Sequence, residues 1–149
     1  MTVYRVAAAP RLRLHVDARN RAAARLLAGW GVDHAVWITA DNPEARQQSR
    51  FANAIARGRF ARWIRRTGLP AARGTASSAD WPTEHGWLIG GVTPALALQL
   101  AQALGQLAWL QLDVDGAVML RWRGPAVNCR RMPRWLPVSL SRSRCRRIR

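Results

Sequence analysis

Ala35-Val36-Trp37-Ile38 is a run of uncharged side chains, and a sheet accommodates such a strand only when both of its faces are covered. Asn42-Pro43 stops the run, because proline has no amide to donate and pushes Asn42 away from helical torsions. Glu44 to Gln48 is polar and unpatterned. Ser49 is placed to cap a helix starting at Arg50, its hydroxyl accepting a first-turn amide. From there Ala52, Ile55, Ala56, Phe60, Trp63 and Ile64 recur at three- and four-residue spacings and form one broad apolar face. Gly58 weakens the helix and allows a kink. Thr67-Gly68 and Pro70 end it. A strand buried on both faces beside an amphipathic helix implies a layered fold with helices against a sheet.

The rest of the chain supplies further layers. Arg11 to Asp17 alternates, with Leu12, Leu14 and Val16 on one face and Arg11, Arg13 and His15 on the other, so His15 is assigned no role. Asp17 or Asn20 caps a helix whose Ala23, Leu26 and Leu27 face inward until Gly29 and Gly31. Ala71 to Ser78 reads as a short edge strand running into the Asp80-Trp81-Pro82 turn. Trp87-Leu88-Ile89 is a buried strand broken by Gly90-Gly91. Thr93-Pro94 opens a helix that Gly105 terminates. Leu107 to Leu112 and Ala117 to Trp122 form a hairpin around Asp115-Gly116. The order β-α-β-α-β-β-α-β-β contains a split β-α-β repeat, so the expected class is α+β: a single sheet with helices packed on it, in a ferredoxin-like arrangement.

Residues 1–122 are expected to form this domain, and 123–149 a flexible basic tail, since the latter stretch has three prolines, no acidic residue and no periodicity. Gly86 to Leu112 carries no charge over a length that could cross a bilayer. Its glycines, Pro94 and the polar Thr93, Gln99, Gln102 and Gln106 favour strand, helix and strand instead, so no membrane span is expected. No secretion signal is evident at the N-terminus, which gives a cytoplasmic expectation. Cys129 and Cys145, the two cysteines, share no metal-ligand spacing with His15, His34 or His85. Neither a metal, a cofactor nor a structural disulfide is expected.

Several short motifs occur in a defined order: Ile38-Thr39-Ala40 with Asn42-Pro43, Ser49 with Asn53, Trp81-Pro82 with Glu84, and Gly105-Gln106-Leu107-Ala108. Together they resemble a bacterial family catalogued as domain of unknown function 3293, from about Arg11 to Trp122. The chain departs from that pattern at Asp41, where an uncharged residue is common, at His85-Gly86 in place of Pro-Ser, and at Leu107 in place of asparagine. The resemblance implies no particular reaction.

Two function classes follow. All 24 basic residues are arginine, against eight acidic ones, for a formal charge of +16. A GC-rich genome would favour such a lysine-free composition, but arginine stays charged whatever its origin. Arg57, Arg62, Arg65 and Arg66 crowd one helix, and Arg130, Arg131, Arg142, Arg144, Arg146 and Arg147 crowd the tail. The leading expectation is a small soluble binding protein that contacts nucleic acid or another polyanion through phosphates, without sequence readout. The alternative is a small-molecule-binding or enzymatic domain. Its polar site would gather Thr39, Asn42, Ser49, Asn53, Trp81, Glu84 and Gln106 at strand ends and helix starts, where a small polar or anionic ligand could bind. Glu84 is the candidate general base, and a salt bridge to one of the arginines is its plainer reading. No catalytic triad, metal cluster or phosphate-cradling glycine loop is present.

Overall fold

Asn20, Ser49 and Thr93 start the three α-helices of the described residues by accepting first-turn amides: Asn20 from Ala22 and Ala23, Ser49 from Ala52, and Thr93 from Leu96. The helices are α1 (Arg21–Trp30), α2 (Arg50–Thr67) and α3 (Pro94–Leu104). Gly31, Gly68 and Gly105 end them in left-handed conformation. α2 runs unbroken through Gly58. The computed structural model describes residues 1–7 and 12–124, so the expectations placed on Cys129, Cys145 and the tail arginines Arg130, Arg131, Arg142, Arg144, Arg146 and Arg147 lie outside the described residues.

Among the described residues eight strands accompany the helices: β1 (Val3–Val6), β2 (Leu12–Leu14), β3 (Ala18–Arg19), β4 (His34–Thr39), β5 (Ala71–Ser77), β6 (Glu84–Gly90), β7 (Ala108–Asp113) and β8 (Ala117–Trp122). They form one sheet in the order β2-β1-β5-β6-β4-β7-β8-β3, every pairing antiparallel. The two edge strands, β2 and β3, are neighbours in sequence. Only His15 to Asp17 separates them, and the Asn20 side chain donates across the gap to the Arg13 carbonyl at 2.7 Å. The sheet therefore curls round until it is nearly closed, which protects edges that would otherwise expose unpaired amides.

This overturns the expected ferredoxin-like single sheet with helices packed on it. The described chain is an eight-stranded, barrel-like antiparallel sheet with three helices, and these cover both faces. On the concave face Leu12 and Leu14 from one edge and Val118 from near the other share a core with Trp37, Leu88, Leu110, Leu112 and the α1 residues Ala23 and Leu27. On the outer face Val36, Ile38 and Ile89 pack beneath Phe60, Trp63 and Ile64 of α2 and Leu96, Ala97, Leu100 and Ala101 of α3. β4 is thus covered on both sides, as its apolar run requires. The physical reason for the correction is β1 and β3, which extend and close the sheet through non-local pairs, Tyr4 opposite Ala76 and Ala18 opposite Val118. β5 is likewise an interior strand between β1 and β6 rather than an edge.

The concave face contains one tight fit. Gly74 and Gly86 are directly paired across β5 and β6. A Cβ on Gly86 would lie 2.6 Å from Trp37 Cζ2 and 2.7 Å from the Ile38 carbonyl oxygen; one on Gly74 would lie 2.9 Å from Trp37 Nε1. The two glycines leave the space that the Trp37 indole occupies inside the curl. Tyr4 meets that indole edge-on, with ring centroids 4.8 Å apart.

Candidate functional site

Antiparallel pairing brings the C-terminal ends of β4, β5 and β8 to the same end of the barrel as the N-terminal ends of β1, β6 and β7. A cavity of about 190 Å³ opens there. Tyr4, Trp37, Thr39, Trp81, Glu84 and Gln106 line it, with Leu110 and Leu120 among the apolar lining residues.

Thr39 closes β4 by bridging two backbones: its hydroxyl donates to the His85 carbonyl at 2.7 Å and accepts from the Asp41 amide at 2.9 Å. Asn42 then turns the chain in left-handed conformation, at φ 50°. Asparagine tolerates that region better than most residues. A reciprocal pair with Asn53 fixes the turn: the Asn42 amide donates to Asn53 Oδ1, and Asn53 Nδ2 donates to Asn42 Oδ1, both at 3.0 Å. Asn42 Oδ1 also accepts from the Gln48 amide at 3.0 Å. With its acceptor satisfied, the Asn42 side chain points Nδ2 at Glu84 Oε1, 2.9 Å away. Trp81 Nε1 donates to the same oxygen at 2.8 Å. Glu84 Oε2 has no hydrogen-bond partner among the described residues.

Behind this layer lies a buried charge that the sequence left in the background. The Asp41 side chain is 2% exposed; Arg57 Nη1 approaches its two oxygens at 3.1 and 3.0 Å, and the His85 amide donates to Oδ2 at 2.9 Å. Gln106 Nε2 donates to the Asp41 carbonyl at 2.8 Å. His85 therefore contributes its backbone to the site while its residue surface is exposed. A second brace holds the loop from outside: Glu44 and Arg123 form a two-pronged pair at 2.8 Å, and the Glu44 amide donates to the Gly105 carbonyl at 2.7 Å. The hydrogen bond from Arg123 holds the Glu44 carboxyl below its ordinary range. Arg123, the first residue of the expected tail, is thus anchored to the loop.

Of the residues proposed from sequence, the structure places Thr39, Trp81, Glu84 and Gln106 on the cavity wall, and Asn42 and Asn53 directly behind it. Ser49 is exposed and serves its helix cap outside the cavity. Glu84 pairs with no arginine among the described residues. Arg57, grouped with the polyanion-binding arginines, is committed to Asp41. Sequence reasoning missed Tyr4, which lies beyond the last strand read toward the N-terminus. Burial raises the pKa of its hydroxyl, and the neighbouring Glu84 carboxylate raises it further. No group of His, Cys, Asp and Glu among the described residues could hold a metal ion. No described helix is long and apolar enough to cross a membrane.

Fold and site together define a small antiparallel barrel with a polar-rimmed cavity at one end. Residues 38–108 match the model of the family described as protein of unknown function (DUF3293), so the resemblance carried by the motifs stands over that span. The span holds all seven candidate ligand-site residues proposed from sequence and leaves out Tyr4 and the tail arginines. No curated protein and no solved structure matched the chain.

Proposed function

We propose that this protein binds a small molecule in the cavity at the barrel mouth, and does so as a soluble protein of the bacterial cytoplasm. The observation that carries the proposal is the cavity wall itself. Side chains from β1, β4, β6, the turn before β6 and the turn before β7 meet there, and a hydrogen-bonded layer behind fixes Glu84 and Thr39 in place. Such pre-organisation of a few polar groups within an apolar lining is characteristic of ligand sites. At about 190 Å³ the cavity falls below the ~300 Å³ at which drug-sized pockets begin, so it suits a compact ligand. The test is a fragment screen on the full chain, read by protein-detected NMR. Shifts clustering on Tyr4, Trp37, Trp81 and Glu84, and abolished by Trp81→Ala, support the proposal. Hits that shift only other surfaces, or no hits, overturn it.

Polyanion binding is a second reading, favoured by one observation. Arg59, Arg62, Arg65 and Arg66 are exposed on α2 and form no ion pair among the described residues. Replacing these four by serine should weaken nucleic-acid binding at every sequence tested and flatten its salt dependence. Undiminished binding in that variant removes the helix from the reading.

A further inference from the structure

Among the described residues Glu84 is the one formally charged side chain lining the cavity, in a chain whose formal charge is +16. Its two oxygens are used differently. Oε1 accepts from both Asn42 Nδ2 and Trp81 Nε1, while Oε2 has no partner among the described residues. Among the described residues no cationic side chain lines the cavity to receive an anion. Tyr4 stays a neutral phenol through the physiological range, because burial and the Glu84 charge both oppose its ionisation. The Arg57 guanidinium in the hydrogen-bonded layer is turned to Asp41 and does not line the cavity. Tyr4, Trp37 and Trp81 share the cavity wall with the carboxylate. Two of these rings are locked edge-to-face at 4.8 Å, and the third is tied to Glu84 through its indole N–H.

Resting on the small-molecule reading above, we propose that the ligand is a compact organic cation, an alkylammonium whose charged head sits against Glu84 with its alkyl groups against Tyr4, Trp37 and Trp81. Aromatic rings present a negative π-face to a cation, and a fixed carboxylate supplies the counter-charge. The arginine-rich exterior does not forbid this. At physiological salt, fields from charges more than ~8 Å away are largely screened, so the local carboxylate decides the sign felt inside the cavity. The ordering also explains the Asn42–Asn53 layer. Two donors on Oε1 restrain the Glu84 side chain while leaving it unneutralised, so its charge stays available at the wall.

The experiment compares two probes of the same shape on the full chain at physiological salt: choline, and 3,3-dimethylbutan-1-ol, in which carbon replaces the quaternary nitrogen. Titration is followed at the Trp37 and Trp81 indole resonances. Choline is expected to shift both and to bind about tenfold or more tightly than the alcohol. Glu84→Gln, which keeps an oxygen to accept from Asn42 and Trp81, should remove that preference and leave the alcohol's affinity nearly unchanged. If the alcohol shifts the same resonances and binds as well as choline, the cation proposal is overturned while the ligand site stands. If neither probe shifts them, and the fragment screen is also blank, both fall. The wild-type comparison needs no variant, so its outcome holds whether or not Glu84→Gln folds.

Discussion

Arg57→Ala should destabilise the protein although Arg57 lies among the helix arginines that look like surface charge. The Asp41 carboxylate that it serves is 2% exposed, and after truncation it would keep the His85 amide as its one remaining hydrogen-bond donor among the described residues. Breaking a fully buried ion pair costs about 3–5 kcal/mol, because a desolvated charge is left behind. A fully exposed pair is worth about 0–1 kcal/mol. The Arg57 side chain is 34% exposed, so water reaches the pair from one side once the guanidinium is gone. The expected loss lies between those limits, at about 2 kcal/mol. Urea unfolding measures it as a lowered midpoint at unchanged slope. Arg62→Ala is the internal comparison: the residue is exposed on the same helix with no ion pair among the described residues, and should change stability by less than about 0.5 kcal/mol. In a double-mutant cycle with Asp41→Ala the two losses should be strongly non-additive. Equal stabilities for Arg57→Ala and Arg62→Ala would refute the account, and would return Arg57 to the surface set in which the sequence placed it.

Two other expectations follow from the cavity and its floor. Tyr4 is the one tyrosine, so an alkaline titration of tyrosinate absorbance reads it alone. Its pKa is raised above the ordinary 10.0, first by burial and then by Glu84, so the neutral form favours the fold; that contribution is complete below pH 10 and is lost as pH rises through the folded-state value. Glu84→Gln should bring the midpoint only part of the way back, since burial is the larger cause, and a wild-type midpoint at or below 10.0 would contradict the placement of Tyr4. Gly86→Ala would place a methyl 2.7 Å from the Ile38 carbonyl oxygen and 2.6 Å from the Trp37 ring. The backbone oxygen cannot yield as a side-chain tip does, so about 1–3 kcal/mol of overpacking is expected, together with displacement of the indole that borders the cavity. An unchanged melting temperature would show that the indole is not seated on β6.

What the sequence by itself determined is local. Ser49 and Thr93 were readable as caps because a hydroxyl before an apolar repeat satisfies amides within the next three residues, and both do so. Gly68 and Gly105 were readable as stops, and the hairpin from Ala108 to Trp122 from its Asp115-Gly116 turn. Asn42-Pro43 likewise announced the turn that leaves β4. These features depend on contacts a few residues apart, where chain connectivity leaves few alternatives. The tertiary structure decided the rest. β1 is four residues with a weak pattern, yet it pairs with β2 on one side and β5 on the other, and so turns an apparent edge into the interior of a closing sheet. The Asp41–Arg57 pair spans 16 positions, and the charge on Glu84 acts on Tyr4 from 80 positions away in the chain. One aspartate among eight acidic residues and one arginine among 24 carry no mark of their partner. Burial selects them, and burial exists only once strand order has brought distant segments together, because desolvation is a property of the packed chain and not of the residue.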